Sequence, residues 1–134
     1  MVEVLFREIF DPKLHFIVAP IEEMGSMHGL TNPATKTIKI REDVYDRACE
    51  GHGRDRFTLA HELGHYLLHD DVTVGLARSG DGASVVTYCD PEWQANAFAG
   101  ELLMPHDLIQ NMSIGEIAAQ CKVSYSAAEL QRRK

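Results

Sequence analysis

Residues 56–69 read RFTLAHELGHYLLH, and they contain the pattern H-E-x-x-H, which on a helix is a metal-binding and catalytic signature. At about 100° per residue, the leucines and the other apolar side chains fill one continuous arc of such a helix. The opposite arc is polar, yet it has no lysine, arginine or aspartate, which an ordinary solvent-facing arc would carry. We therefore predict a helix over about residues 54–69 that is buried on one side and lines a cleft on the other.

The two histidines of the pattern, His61 and His65, stand one helical turn apart. Their imidazole nitrogens can therefore meet one metal ion, about 2.0–2.1 Å from each. Glu62 lies one step round the helix, where its carboxylate reaches a water on the ion better than the ion itself. That position suits a general base. The alternative is an ordinary amphipathic helix that carries the two histidines by accident.

Asp90 and Pro91 open a second predicted helix, as N-cap and first helical residue. Pro105 ends this helix after Met104. Small residues along it would let the second helix approach the first one closely. They are Ala95, Ala99 and Gly100.

Glu92 falls in the middle of the apolar arc of this second helix, where a carboxylate is costly unless something positive meets it. A metal ion on His61 and His65 would meet it and complete a His, His, Glu set with a fourth position open for water. Zinc suits this set, and so do manganese and iron. Asn96, one turn after Glu92, is placed to hydrogen-bond a ligand histidine. Otherwise Glu92 merely favours the helix dipole.

The composition is that of a soluble globular protein, with 45% hydrophobic and 25% charged residues. The length of 134 residues predicts a single domain, 1–134, with a helical C-terminal part from about 106 to 134. The sequence has no apolar run near the roughly 18 residues of a membrane span and no signal-peptide pattern, so we expect a cytoplasmic protein without a membrane partner. The formal net charge of −7 argues against direct binding to nucleic acid.

The three cysteines are odd in number, widely spaced and without a C-x-x-C pair. We interpret Cys49, Cys89 and Cys121 as free, mostly buried thiols of a reducing compartment. They are therefore neither disulfide partners nor zinc ligands.

Outside the two motifs, the patterns predict short elements. Residues 14–19 and 37–41 favour strands, 24–33 are turn-rich, and 42–50 favour a helix. For residues 2–10 periodicity does not decide between helix and strand. The strand before the H-E-x-x-H helix could offer a free edge to an extended peptide, or it could be a plain strand without a ligand.

Residues 70–90 contain a Ser-Gly-Asp-Gly run and one apolar patch at 83–88. We predict a long loop there, with room for a short strand. Loops of this length in a compact domain are usually functional or mobile, so we expect a lid over the cleft.

The C-terminal part predicts two more helices. Ser113 and Glu116 have capping-box spacing and open a helix to about Lys122, and residues 125–133 form the last helix. Two short helices about a tight turn suit a helix-turn-helix or plain helical packing. The acidic charge of the chain favours packing.

Taken together, the two motifs resemble the ImmA/IrrE family of zinc metallopeptidases. They read RFTLAHELGH at 56–65 and EWQANAFAGELLMP at 92–105, and the resemblance covers roughly residues 37–110. It implies a compact zincin-like α+β fold, with a small sheet beside the active-site helix. It also implies a protein substrate, a DNA-binding repressor of the helix-turn-helix type, in mobile elements, toxin-antitoxin loci or stress responses.

Residue by residue, the resemblance assigns zinc ligands to His61, His65 and Glu92, and the catalytic glutamate to Glu62. Many members carry Glu where this chain has Gln94. On a helical wheel Gln94 lies off the face that carries Glu92, so we expect the metal site to be unaffected.

The expected activity is that of a metallo-endopeptidase in which Glu62 takes a proton from a zinc-bound water. A further group usually steadies the developing oxyanion. The candidates are His28, His69, Tyr88 and His106, although His69 also suits a cap on the last turn of its helix.

Two other hypotheses stay open. In the first, the chain is a non-proteolytic, metal-containing regulatory protein that docks a regulator or DNA through its cleft or its helical tail. In the second, the same zinc chemistry hydrolyses small amides. Loss of cleavage of a repressor in Glu62→Gln, with zinc retained, would separate the peptidase from the binding protein.

Overall fold

The computed structural model describes residues 13–68 and 90–134, and its elements follow in chain order. They are β1 (His15–Ala19), α1 (Ile21–Met24), β2 (Gly29–Asn32), β3 (Thr37–Arg41), α2 (Glu42–Cys49), α3 (Gly53–Leu68), α4 (Pro91–Leu103), α5 (His106–Ile109), α6 (Ile114–Cys121) and α7 (Tyr125–Arg133). The predicted α+β class is confirmed, with a three-stranded sheet and a helical C-terminal part.

The sheet has the order β1-β3-β2, in which β3 runs parallel to β1 and antiparallel to β2. Of the two alternatives for the strand at 37–41, the free edge for a peptide is wrong, because β3 is the central strand and is paired on both sides. The error came from residues 24–33, which were predicted as turns although Gly29–Asn32 forms β2. This strand is only four residues long, and pairing with β3 keeps it extended.

Strand β3 follows the predicted alternation of buried and partly exposed side chains. Ile38 and Ile40 point into the core, and both are fully buried. They pack with Leu14, Val44 and Leu63 in one hydrophobic cluster that joins the sheet to α2 and α3. The small sheet therefore lies beside the helix that carries H-E-x-x-H, as expected.

Helices α3 and α4 pack closely because small residues meet at their interface. A Cβ added to Gly64 of α3 would lie 3.0 Å from Cδ1 of Phe98 and 3.2 Å from Cα of Ala95. Ala95 and Ala99 are fully buried, and the closeness of Ala95 to Gly64 confirms the predicted role of Ala95. Gly100 does not share that role, since a Cβ there would lie 2.6 Å from Oε1 of Gln131 in α7.

The C-terminal helices form a second hydrophobic cluster, which includes Met104, Ile117 and Ala128. The turn between α6 and α7 is packed against the start of α3. A Cβ on Gly53 would lie 2.5 Å from the carbonyl carbon of Val123. This contact agrees with the packing interpretation of the two helices.

A chain of ion pairs joins the end of β3 to α2 and to the first turn of α3. Asp43 accepts hydrogen bonds from Arg41 at 2.6 Å and from Arg47 at 3.1 Å, and Arg47 also donates to the buried Asp55. The hydrogen bond from the Arg41 guanidinium holds the pKa of the Asp43 carboxyl well below its ordinary value. The start of α3 is thus fixed to the sheet by charge as well as by packing.

Cys49 and Cys121 are free thiols, as predicted, but the expectation that they are mostly buried is wrong. Cys49 is exposed and Cys121 is only partly buried. The predictions for residues 2–10, for the loop at 70–90 and for Cys89 lie outside the described residues. Among the helices that the structure describes, none is long and apolar enough to cross a membrane.

Candidate active site

Three side chains meet where α3 faces the first turn of α4. Nε2 of His61 lies 3.0 Å from Nε2 of His65, and Oε2 of Glu92 lies 3.0 Å from the first and 3.2 Å from the second. The two histidines share one face of α3 because they are four residues apart. The structure therefore brings together all three residues that the sequence analysis named as ligands.

The spacing of these donor atoms fits a metal ion. A tetrahedral ion with ligands at about 2.0–2.1 Å separates any two of them by about 3.3–3.4 Å. The observed separations of 3.0 to 3.2 Å are close to that value. Two imidazoles and one carboxylate also match a donor set found in catalytic zinc sites. The residues fit, and their role as ligands stays a prediction that metal analysis tests.

Asn96 fixes the orientation of the His61 ring through the nitrogen that faces away from Glu92. The amide oxygen of Asn96 lies 2.8 Å from Nδ1 of His61, so Nδ1 donates the hydrogen and Nε2 keeps its lone pair on the side of Glu92. The predicted hydrogen bond between Asn96 and one of the two histidines is confirmed. The two imidazole rings stand nearly perpendicular, at 86° with centroids 4.6 Å apart.

Burial differs sharply across the cluster. The side chain of His65 is 4% exposed, whereas that of Glu92 is 53% exposed. The expectation that Glu92 lies within a buried arc is therefore wrong. It occupies the first turn of α4, where Asp90 caps the helix by accepting from the backbone N–H of Glu92 at 3.0 Å. The cluster is thus open to solvent on the side of Glu92 and closed on the side of His65.

Glu62, the predicted catalytic glutamate, is 8% exposed and faces strand β2. The hydroxyl of Thr31 lies 2.5 Å from its Oε2 and 3.1 Å from its backbone carbonyl oxygen. Sequence reasoning missed Thr31, because residues 24–33 were predicted as turns. No local signal marks the contact, since it depends on the pairing of β2 with β3.

The candidates for an oxyanion-stabilising group are now fewer. His106 is bonded to Glu101. Glu101 lies about 14 Å along α4 from Glu92, at 1.5 Å per residue. The prediction that His106 serves the site is therefore wrong. His28 stays a candidate. It precedes Gly29, which lies close to the side chain of Glu62. His69 and Tyr88 lie outside the described residues.

A hollow of about 560 Å³ opens between α3, α4 and α7. Its walls are mostly apolar and include Phe57, Trp93 and Leu130. Asn96 also lines this hollow, and its amide contacts His61. The hollow therefore adjoins the cluster and is large enough for a bulky side chain.

Comparison with known protein families matches the chain over residues 13–131 to the family described as the IrrE N-terminal-like domain, Peptidase_M78. The chain belongs to this family. The resemblance to the ImmA/IrrE family is thus confirmed, over almost the whole chain. Among curated proteins, none matched.

Membership of Peptidase_M78 gives the chain a metallopeptidase-type role, that of a hydrolase. The fold agrees, since a small sheet lies beside the H-E-x-x-H helix as the family resemblance implied. Within the described residues, His61, His65 and Glu92 form a group that could hold a metal ion. The family is one of metallopeptidases, and the geometry supplies a group of residues that could hold a metal ion.

Proposed function

We propose that the chain is a zinc-dependent endopeptidase that cleaves a DNA-binding repressor or an antitoxin-type regulator. The convergence of His61, His65 and Glu92 carries this proposal, because it supplies three donors of the right kind within 3.2 Å of one another. Membership of a metallopeptidase family supports it independently. Zinc held there would supply a Lewis acid and lower the pKa of a coordinated water.

In this proposal the chain's own residues orient the histidine and move the proton. Glu62 accepts a proton at its carboxylate from the attacking water and passes it to the nitrogen of the leaving amine. Asn96 fixes the imidazole of His61, and the burial of His65 excludes water from that side of the cluster. A carboxylate beside the reacting water makes hydrolysis of a peptide bond possible near neutral pH.

An extended substrate suits the sheet. In the described part of the chain, β2 is paired only with β3, so its outer edge can accept main-chain hydrogen bonds from a peptide. This edge takes the place of the free edge that was one of the two alternatives for the strand at 37–41. Strand β2 also contacts Glu62 through Thr31, so a peptide on this edge would run beside the proposed base.

A basic regulator is favoured over nucleic acid as the partner. The formal net charge of −7 attracts positively charged proteins and repels phosphate backbones. DNA-binding repressors carry basic faces. The charge therefore supports the substrate class that the family resemblance implied.

The decisive experiment compares wild type with Glu62→Gln on a co-encoded repressor. We expect wild type to cut the repressor, and Glu62→Gln to lose cleavage by about 10²- to 10⁴-fold while it retains zinc. Glu42→Gln, an exposed residue of α2, is the matched control and should cut normally. If Glu62→Gln acts on the repressor in the cell as effectively as wild type does, the chain is a non-proteolytic regulator instead.

A further inference from the structure

A buried threonine on strand β2 contacts the proposed base directly. Thr31 is 6% exposed, and its hydroxyl lies 2.5 Å from Oε2 of Glu62 and 3.1 Å from the carbonyl oxygen of the same residue. The hydroxyl has one hydrogen to donate. The shorter contact has the length of a charge-assisted bond to a carboxylate, so Thr31 donates to the side chain of Glu62.

The same face of β2 also leaves space for Glu62. Gly29 stands two residues before Thr31, and alternate residues of a strand share a face. A Cβ on Gly29 would lie 2.8 Å from Cγ of Glu62 and 3.1 Å from its Oε1. Residue 29 therefore has to lack a side chain for Glu62 to keep its conformation. Position 29 thus leaves space for the side chain of Glu62, and position 31 supplies a hydroxyl that bonds to its carboxylate.

We propose that Thr31 is a positioning residue that holds the Glu62 carboxylate in the orientation the reaction requires. The inference rests on the proposed function and identifies a further residue of that same site. A glutamate side chain is flexible, and a β-branched threonine is stiff at χ1. A fixed hydroxyl on one carboxylate oxygen therefore restricts the whole group. Catalytic groups lose rate steeply when they are misplaced by about 1 Å.

The arrangement has a consequence for substrate binding. Strand β2 is the edge proposed to receive the peptide, and it also holds the base. The backbone of β2 would thus fix the peptide, while the side chain of Thr31 fixes Glu62 from the same element. Changes confined to the hydroxyl should then affect turnover and leave substrate affinity nearly unchanged.

The first test uses stability and needs no substrate. In the full chain as purified, the urea midpoint is measured for Thr31→Val, for Glu62→Ala and for the double variant. If the two side chains are bonded, Thr31→Val lowers the midpoint less in the Glu62→Ala background than in wild type. Additive shifts would overturn the inference.

The second test uses kinetics on a repressor that wild type cuts. We expect Thr31→Val to lower kcat by about 10- to 100-fold and to change KM by less than about threefold. Thr31→Ser keeps the hydroxyl and should recover most of the lost kcat. Thr37→Val is the matched control, since among the described residues the Thr37 hydroxyl bonds only to Thr35, and it should turn over like wild type.

A third variant covers the case in which Thr31→Val does not fold. Gly29→Ala keeps the hydroxyl of Thr31 but places a Cβ against Cγ of Glu62. It should lower kcat with zinc content unchanged. Wild-type turnover in Gly29→Ala and Thr31→Val, or a serine variant no better than valine, would overturn the inference.

The failures of the two proposals can be told apart. A wild-type chain that cuts nothing overturns the proposed function, and with it the catalytic use of the contact, even where the stability shifts are non-additive. Additive shifts beside an active wild type overturn only the role of Thr31.

Discussion

The two sides of helix α3 hold their carboxylates in opposite ways. On the side of α4, Glu92 is half exposed and meets two imidazoles at the mouth of the cluster. On the side of β2, Glu62 is buried and meets the hydroxyl of Thr31. In the proposed site Glu92 would share the charge of a metal ion, and the attraction of that ion lets a carboxylate stay exposed to water. Glu62, as the proposed base, would gain from a fixed position that is shielded from water.

The largest expected effect comes from shortening each carboxylate by one methylene. Glu62→Asp should lower kcat by about 100-fold, since the base is withdrawn from the reacting water by about 1 Å or more, and zinc content should not change. Glu92→Asp should weaken zinc binding and leave the kcat of the zinc-saturated enzyme closer to wild type. Titration with zinc and steady-state kinetics measure both. The same defect in both variants would break the comparison between the two sides.

Asn96→Ala tests how the α4 side orients its histidine. Loss of the acceptor for Nδ1 of His61 should cost about 10- to 100-fold in zinc affinity or activity. Gln94→Ala, on the same helix and outside the cluster, is the control and should bind zinc normally. Competition with a chelator gives the affinities. Equal affinities for Asn96→Ala and wild type would show that the amide does not orient the ring.

Gly64→Ala tests the close contact that places α4 against α3. The new Cβ would lie 3.0 Å from the ring of Phe98 and 3.2 Å from Cα of Ala95. Because backbone atoms of α4 cannot move aside easily, we expect a loss of about 1–3 kcal/mol in unfolding free energy. In Gly115→Ala the new Cβ meets no heavy atom of the described residues within 4 Å, so this variant should be neutral or slightly stabilising. Thermal melts that rank the two variants in the opposite order would contradict this packing.

The smallest effect concerns the ion pairs at the start of α3, outside both carboxylate sites. The pKa of Asp43 is lowered by the hydrogen bond from Arg41, so its folded value lies below its unfolded value of about 4. The stabilisation is fully present above the unfolded pKa and is lost as pH falls through the folded pKa. Asp43→Asn should therefore be less stable at neutral pH and flatter in its acid dependence. Urea midpoints from pH 7 down to about pH 2 measure it, and parallel curves for wild type and variant would refute it.

Local patterns predicted the α4 side of the site well. The spacing of His61 and His65 and the cap at Asp90 are properties of single helices, so the sequence indicates them directly. The ends of the predicted helices agree with the structure to within one or two residues, for example Pro91–Leu103 against a predicted 91–104. The family match covers the same motifs.

The β2 side could not be predicted in the same way. Gly29–Asn32 has the composition of a turn, and it is a strand because β3 pairs with it. Thr31 comes near Glu62 only after that pairing, across 31 positions of sequence. The exposure of Glu92 was missed for a related reason, since the mouth of the cluster depends on how α4 lies against α3. Tertiary contacts decided each of these points.

Elemental analysis of the purified chain tests the central claim most directly. We predict about one zinc per wild-type chain and a large loss of zinc in Glu92→Ala, with the variant still folded by circular dichroism. Glu22→Ala, an exposed glutamate of α1, serves as the control and should keep its zinc. A wild-type chain without a bound transition metal, or full zinc in Glu92→Ala, would contradict the account.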